Sequence, residues 1–428
     1  MAEGKVVRLK NVRIVRGGEL SKDELWIQDG RIINPQKYFF DVKKRADEEI
    51  DCQGFIIAPG LIDIQFNGAY GIDIASKPDN AAKDADYLSK RLLENGITGF
   101  CLTIVSTDNY KKIVSEVRPR KGGTIGAEII GLHLEGPFIS KDKKGCHIES
   151  HIKEVVSKED LLNCYGRNLS GVKIITLAPE LPEAMDTIEW LSEEHKEIVI
   201  SIGHSCANYK QAEEAMDKGV TLITHLFNAM LPFHHRDPGI VGLITRHTDK
   251  DSEDQQGSKD QQDQQGSKDQ QDSQDSVKPI YYGLIADGHH TLRNAIRIAY
   301  RSNKKGIVLV SDAAVVAGLE DGFYEIGELP VEVKDGICVK RNTNILAGSM
   351  AMMDKCVRGL KEATGCTIVD ALEAASLHPA KLLGIHDQKG SLDFGKDADF
   401  IFLNDELEVQ ATYIAGEKVW SHETFNIQ

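Results

Sequence analysis

The chain has 428 residues, of which 41% are hydrophobic, and its 51 basic and 66 acidic side chains give a net charge of -15. This acidic balance argues against nucleic acid as a main partner, because phosphate binding needs a basic surface. No apolar run approaches the roughly 18 residues of a membrane span, and the first residues lack the apolar core of a signal peptide. The eight cysteines are scattered without a Cys-x-x-Cys pair, which favours a cytoplasmic protein with free thiols.

The two ends of the chain predict short strands and turns. Strand-like pieces lie at 6–9, 12–14, 24–28 and 31–33, and Asp29-Gly30 between the last two is a hairpin signal. The last forty residues repeat this pattern, with strand-like pieces at 399–403 and 410–415. We therefore expect residues 1–54 and 386–428 to join in one small β-sandwich domain.

Between these ends, eight short apolar runs alternate with helical stretches. The runs have little polar alternation, as expected for strands buried on both faces, and they lie at 55–66, 97–105, 129–134, 172–177, 198–202, 221–224, 281–286 and 306–310. Apolar residues at helical spacing predict helices at 80–94, 182–195, 208–218, 292–303, 350–363 and 368–383. Residues 55–385 thus predict an α/β fold, a (β/α)8 TIM-type barrel, with an open doubly wound sheet as the alternative.

One segment of the barrel region has a different composition. Residues 249–276 contain nine Gln, nine acidic residues and three Lys, with no aliphatic or aromatic side chain, and include a nine-residue repeat at 255–263 and 264–272. Such a segment buries too little apolar surface to offset its ordering entropy. We expect a disordered acidic insertion on the surface, with an acidic partner-binding loop as the alternative.

Several runs end in residues that suit chemistry at the carboxyl face of a barrel, where active sites lie. Glu135, His204 and His225 follow the third, fifth and sixth runs. Two imidazoles and one carboxylate are a ligand set used by catalytic zinc, which lowers the pKa of a bound water. Asp312, after the eighth run, could take the proton of that water and return it to a leaving nitrogen. A single histidine at a strand end is more often structural, but the four residues together predict a metal-dependent hydrolase.

A second group of residues is basic or glycine-rich. Arg236 follows the sixth run, and its planar fork suits a phosphate, although a solvated loop is the alternative. We expect His290 and the Cys146-His147 pair to join it at the mouth of the barrel. In Leu346-Ala347-Gly348 the glycine permits close backbone approach to a ligand, but an ordinary helix entry accounts for it equally well.

The motifs that contain these residues resemble a known family over about residues 6–420, apart from the insertion. Pro59-Gly-Leu-Ile-Asp63 and the Lys389-Gly-Ser tail are similar to the amidohydrolase superfamily. Leu134-Glu-Gly-Pro-Phe138 and His225-Leu-Phe-Asn-Ala-Met230 resemble the N-acetylglucosamine-6-phosphate deacetylase family within it. The resemblance implies hydrolysis of the acetamide of N-acetyl-D-glucosamine 6-phosphate to D-glucosamine 6-phosphate and acetate, in amino-sugar metabolism.

The resemblance also implies a single metal site. One divalent ion per subunit, most simply Zn²⁺, is expected on Glu135, His204 and His225, with Asp312 as general base and acid. Most amidohydrolases have His-x-His on the first strand for a second metal, and here Gln65 and Asn67 take those positions. The absence of these two histidines favours a single metal ion, and Gln65 is expected to contact the water bound to that ion.

Substrate contacts are implied residue by residue. His147 is expected near the acetyl carbonyl as a catalytic residue, and Arg236 on the phosphate. The other expected substrate-binding residues are Cys146, Asn228, Ala229, His290, Leu346, Ala347 and Gly348. Because some of these residues reach across a dimer interface in relatives, the resemblance also implies a homodimer.

Two alternatives remain open at this point. Within hydrolases, the chain could act on another N-acyl amino-sugar phosphate or be a cyclic amidase. In a different class, it could be a non-catalytic amidohydrolase-like scaffold, although the joint presence of Glu135, His204, His225 and Asp312 argues against that.

Overall fold

The computed structural model describes residues 4–42, 45–105, 107–246 and 280–427. The insertion expected at 249–276 lies outside the described residues. Among the described residues, no helix combines the length and apolar character needed to cross a membrane.

The N-terminal part of the chain builds most of a small sheet. Its elements are β1 (Val6–Arg16), β2 (Glu19–Gln28), β3 (Arg31–Ile32), helix α1 (Pro35–Val42), β4 (Glu48–Asp51) and β5 (Ile56–Pro59). The pieces expected at 6–9 and 12–14 form one strand with a register shift between them. The predicted hairpin is confirmed: Asp29 and Gly30 both have positive φ and connect the antiparallel strands β2 and β3.

Eight parallel strands follow, paired in sequence order. This confirms the (β/α)8 prediction and excludes the doubly wound alternative, whose strand order would reverse. The strands are β6 (Leu61–Phe66), β7 (Ile97–Val105), β8 (Glu128–Glu135), β9 (Val172–Leu177), β10 (Val199–Ile202), β11 (Leu222–Ile223), β12 (Tyr281–Leu284) and β13 (Ile307–Leu309).

The first predicted apolar run requires a correction. The run at 55–66 is not one barrel strand, because its first half is β5, which pairs with β1 in the small sheet. Gly60 separates it from β6, and a Cβ at this position would lie 2.2 Å from Oγ1 of Thr98. A glycine is therefore needed where the chain passes from one sheet to the other.

Side chains close the barrel between its first and last strands. The buried carboxylate of Asp63 in β6 accepts hydrogen bonds from the backbone N–H of Ser311 at 3.3 Å and from its hydroxyl at 2.5 Å. The backbone N–H of Asp312 donates to the carbonyl of Gln65 at 2.9 Å. The residues after β13 are thus tied to β6 directly beside the carboxyl ends of the strands.

The helices lie where the apolar periodicity predicts them, with small differences. The predicted helix at 368–383 is two helices, and the helices Pro35–Val42, Tyr110–Glu116 and Lys158–Tyr165 have no counterpart among the predicted ones. The remaining helices are α2 (Ala81–Arg91), α3 (Tyr110–Glu116), α4 (Lys158–Tyr165), α5 (Ala184–Glu194), α6 (Tyr209–Lys218), α7 (Arg293–Ser302), α8 (Met353–Thr364), α9 (Ile368–Glu373) and α10 (Leu377–Leu382). Short 3-10 turns lie at Pro78–Asn80, Leu92–Asn95, Lys141–Lys143, Glu149–His151 and Ile240–Thr245.

Two groups of strands complete the fold. An antiparallel meander that the sequence analysis missed follows the barrel: β14 (Gly322–Ile326), β15 (Leu329–Lys334) and β16 (Ile337–Lys340). The C-terminal strands β17 (Phe400–Leu403), β18 (Val409–Ile414) and β19 (Glu417–Ser421) extend the small sheet through β5. Both chain ends therefore share one sheet, as predicted, and its apolar core contains Ile14, Leu25, Ile57, Phe400 and Phe402.

Candidate active site

Three polar side chains meet at the carboxyl end of the barrel, each from a different strand. Glu135 is the last residue of β8, and His204 and His225 lie just beyond β10 and β11. All three are buried. Oε1 of Glu135 lies 3.1 Å from Nε2 of each histidine, and the two Nε2 atoms are 3.0 Å apart. The structure thus brings the predicted metal ligands together, with their ligand atoms all within 4.8 Å of one another.

The strands deliver these side chains through unusual backbone turns. His204, His225 and Asp312 have φ values of 48°, 27° and 45°, a region that non-glycine residues rarely adopt. Such conformations persist where the surrounding structure enforces them, and they cluster at functional sites.

The protonation of the histidines indicates what the cluster can bind. Nδ1 of His204 lies 2.7 Å from the carbonyl oxygen of Lys143. Because a carbonyl only accepts, Nδ1 carries a proton, and Nε2 is the ring nitrogen that faces Glu135. Burial lowers the pKa of His225, but the hydrogen bond and charge of Glu135 outweigh it and raise the pKa to about 8. The site therefore draws a positive charge at neutral pH, and its N, N, O donor set fits a divalent ion.

Asp312 lies beside this cluster and is held by two side-chain amides. Its Oδ1 accepts a hydrogen bond from Nδ2 of Asn67 at 2.8 Å and from Nε2 of Gln65 at 3.2 Å. Gln65 also donates to Glu135, with Nε2 3.1 Å from Oε2. Burial and the charge of Glu135 raise the pKa of Asp312, while Asn67 opposes that shift. A raised pKa suits a group that first accepts a proton and later donates it.

Sequence reasoning gave Asn67 no role of its own. It identified Asn67 only as a replacement for a histidine, and assigned Gln65 only a water contact. The structure places both on Asp312. The signal was available, since residues i and i+2 of a strand share a face, and both carry amides next to a predicted base.

His147 and Cys146 lie on the loop over the cluster. The ring centroid of His147 is 4.4 Å from that of His204. Burial, with the charge of His204, lowers the pKa of His147 to about 3, so its ring is neutral at physiological pH. The thiol of Cys146 donates to the carbonyl of Leu346 at 3.1 Å and joins two loops of the mouth.

One cleft of about 1180 Å³ contains the cluster and most of the predicted substrate contacts. His290 faces it and is oriented by Asp287, whose Oδ2 lies 2.7 Å from Nδ1. At Gly348, φ is 91° and a Cβ would lie 2.7 Å from that of Ala314, so this position on the lining requires glycine. The predicted residues on its lining are Cys146, His147, Asn228, Ala229, His290, Leu346, Ala347 and Gly348.

Arg236 is not brought into this cleft. Its side chain is exposed, on a loop that lies apart from the described lining of the cleft. Within one chain, the predicted phosphate contact is therefore separate from the predicted catalytic residues.

The meander β14–β16 supplies a wall that the sequence analysis missed. Residues 325–329, at the turn between β14 and β15, line the cleft. The backbone N–H of Gly327 donates to Oδ2 of Asp73 at 3.0 Å and holds this turn against the loop after β6. Alternating residues at 329–340 around Asp335-Gly336 are a hairpin signal that could have predicted two of the strands.

Comparisons with known proteins place this geometry in a family. The sequence matches the amidohydrolase family over residues 56–419. It is 46% identical over 423 residues to a human N-acetylglucosamine-6-phosphate deacetylase, covering 98% of this chain and 97% of the relative. It is 31% identical to the enzyme of that name from Bacillus subtilis, covering 97% of each chain.

Solved structures agree with the sequence comparisons. The N-acetylglucosamine-6-phosphate deacetylase of Thermotoga maritima superimposes with a TM-score of 0.76 at 29% identity, covering 97% of this chain and all of that one. The enzyme of the same name from Pasteurella multocida gives 0.78 at 26% identity, with the same coverage. The amidohydrolase family is metal-dependent, and the buried Glu135, His204 and His225 can hold a metal ion. This chain belongs to the amidohydrolase family, in the group of the N-acetylglucosamine-6-phosphate deacetylases.

Proposed function

We propose that this protein hydrolyses the acetamide of N-acetyl-D-glucosamine 6-phosphate to D-glucosamine 6-phosphate and acetate, in amino-sugar metabolism. One observation carries the proposal: the buried Glu135–His204–His225 cluster lies beside Asp312 in the cleft of an amidohydrolase barrel. Its relatives across animals and bacteria carry the name of this activity. A metal-dependent amide hydrolase needs such a ligand set and a neighbouring acid–base group.

Glu135, His204 and His225 would hold one divalent ion per subunit, and the nitrogen-rich donor set favours Zn²⁺. When bound, the ion lowers the pKa of a water and polarises the amide carbonyl. Asp312 accepts the proton of the attacking water. It then donates that proton to the nitrogen as the C–N bond breaks.

The remaining residues of the cleft orient the substrate. In this mechanism His147, whose ring is neutral at physiological pH, donates a hydrogen bond to the carbonyl oxygen as negative charge develops there. Gln65 contacts both carboxylates and so places Asp312 relative to the ligand cluster. The sugar phosphate is held by Cys146, Asn228, Ala229, His290, Leu346, Ala347 and Gly348.

Arg236 binds the phosphate from the second subunit of a homodimer. Two observations support this: the loop of Arg236 is exposed outside the cleft of its own chain, and the neighbouring Phe233 has 62% of its surface exposed. Large exposed aromatic residues are enriched at protein interfaces.

The location and the domain boundaries are also proposals. We place the protein in the cytoplasm, because all eight cysteines are free thiols in the fold. Residues 55–385 form the hydrolase barrel, and 1–54 with 386–428 form the small β domain, with β5 passing from the first unit into the sheet of the second.

The test is acetate release from N-acetylglucosamine 6-phosphate by metal-replete protein, with the unphosphorylated sugar and an EDTA-treated sample alongside. We expect release from the phosphorylated sugar, loss with EDTA and recovery when Zn²⁺ is restored. Absence of release from both sugars by protein that contains metal would contradict the proposed function.

A further inference from the structure

The side chain of Asn67 uses only one of its two polar groups inside the protein. Nδ2 donates to Oδ1 of Asp312 at 2.8 Å, and because a carboxylate only accepts, this bond fixes which end of the amide faces Asp312. Oδ1 of Asn67 is buried from solvent and has no hydrogen-bond partner among the described residues. A buried acceptor without a donor is unfavourable, so its position calls for a donor from a ligand.

The location of Asn67 limits what that ligand group can be. Asn67 lines the cleft together with Glu135 and Asp312. The reacting acetamide has one hydrogen-bond donor, its N–H, whereas its carbonyl oxygen is an acceptor that Oδ1 would repel. In the proposed reaction the leaving nitrogen must lie within reach of Asp312, which is the residue that Asn67 contacts.

We propose that Oδ1 of Asn67 accepts a hydrogen bond from the N–H of the scissile amide and makes the site selective for amides over esters. This inference rests on the proposed function. As the water oxygen bonds to the carbonyl carbon, the nitrogen loses its conjugation and gains a lone pair. With its N–H held by Asn67, the nitrogen cannot rotate freely, and its lone pair faces the proton on Asp312. The lone pair takes that proton, and the C–N electron pair then leaves with the nitrogen as the carbonyl re-forms, which gives the amine and acetate.

Gln65 provides a matched control. It donates to the same oxygen of Asp312, at 3.2 Å, and its Nε2 also contacts Glu135. It is buried and does not line the cleft among the described residues. Gln65→Ala therefore removes one hydrogen bond from Asp312, as Asn67→Ala does, without removing an acceptor from the substrate.

The experiment compares N-acetylglucosamine 6-phosphate with its ester analogue, 2-O-acetylglucose 6-phosphate, in which oxygen replaces the N–H. Rates are measured with enzyme in excess, so that product release does not enter, and the metal content of each variant is determined. We expect Asn67→Ala to slow the amide by about tenfold to a hundredfold more than the ester, the effect of one buried hydrogen bond. Gln65→Ala should slow both compounds by the same factor.

Three results would overturn the inference. Equal losses on both compounds with Asn67→Ala would show that Asn67 acts only on Asp312, and a selective loss shared by Gln65→Ala would lead to the same conclusion. A loss that follows metal content would assign Asn67 to the metal site. If the unmutated protein hydrolyses neither compound, the proposed function itself is wrong. If Asn67→Ala slows both compounds equally, only this inference is wrong and the proposed function stands.

Discussion

Strand β8 carries a carboxylate at each end, and the two carboxylates have different partners. Its first residue, Glu128, has Oε2 2.9 Å from Nζ of the buried Lys389, which also contacts Asp397 and Asp399. Its last residue, Glu135, faces two imidazoles instead. The carboxylate of Glu128 is thus paired with a lysine ammonium group, whereas the carboxylate of Glu135 has only histidines as its basic partners.

The difference separates a structural buried charge from a functional one. Burial lowers the pKa of Lys389, but the charges of Asp399 and Glu128 outweigh it and hold the pKa above its ordinary value, so the ammonium group is permanent. At the other end, the positive charge is a proton on His225 whose pKa is only about 8. A proton that leaves near neutral pH can be replaced by a metal ion, because both compete for the same nitrogen.

The largest expected effect comes from removing one carboxylate of β8 at a time. Glu135→Gln should release the metal and lower kcat/KM by about a thousandfold or more. The reason is that the metal contributes several kcal/mol to the stabilisation of the transition state. Glu128→Gln, on the same strand, should keep the metal and most of the activity. Metal content and acetate release test both. A Glu135→Gln protein that retains its metal and turns over normally would contradict the assignment of this end of β8.

Removing the acid–base group should be nearly as severe without loss of metal. Asp312→Asn keeps the shape and the contact with Gln65 but cannot accept a proton, so kcat should fall by about 10²- to 10⁴-fold with KM nearly unchanged. Single-turnover rates and metal analysis on the same sample make the measurement. If kcat stays within a few fold of the unmutated value, Asp312 is not the base.

At the other end of β8, removing the cation that pairs with Glu128 should change the stability of the protein and leave its activity unchanged. Lys389→Met leaves three carboxylates without their buried cation, so the free energy of unfolding should fall by about 3–5 kcal/mol, while the folded fraction keeps its kcat. The control is Lys5→Met, which removes an exposed ion pair with Glu48 and should change stability by less than about 1 kcal/mol. Denaturant unfolding compares them. Equal losses of unfolding free energy in the two variants would mean that the buried ion pairs of Lys389 contribute no more to stability than an exposed pair.

The sequence predicted the barrel well because its strands are apolar on both faces, a pattern that is typical of parallel sheets covered on both sides. It failed where one apolar run serves two sheets. Nothing in the composition of 55–66 separates β5 from β6, and the need for glycine at position 60 is visible only in the structure, where a Cβ would clash with Thr98. The meander β14–β16 was missed for the opposite reason, since its half-exposed strands lack an apolar run although they alternate.

Within the site, strand ends identified the residues that the structure brings together as the metal cluster, because parallel strands deliver their carboxyl ends to one face. The sequence could not give the orientation of the His204 ring, which depends on the carbonyl of Lys143, 61 residues away. The sequence also could not distinguish residues that line the cleft from residues outside it, such as Arg236, because both kinds follow a strand of the same barrel.

The smallest expected effect concerns that residue, and it tests whether the cleft of one chain is complete. Arg236→Ala should raise KM for the phosphorylated sugar by about tenfold to a hundredfold, the loss of a charge-assisted hydrogen bond, with little change in kcat. If Arg236 acts in the partner subunit, co-expression of Arg236→Ala with Asp312→Asn should restore one intact site in each mixed dimer. About a quarter of the unmutated activity should then return at low substrate concentration, because half of the dimers are mixed. No recovery from mixed dimers would mean that Arg236 serves its own chain, and the loop that carries it would have to close over the cleft.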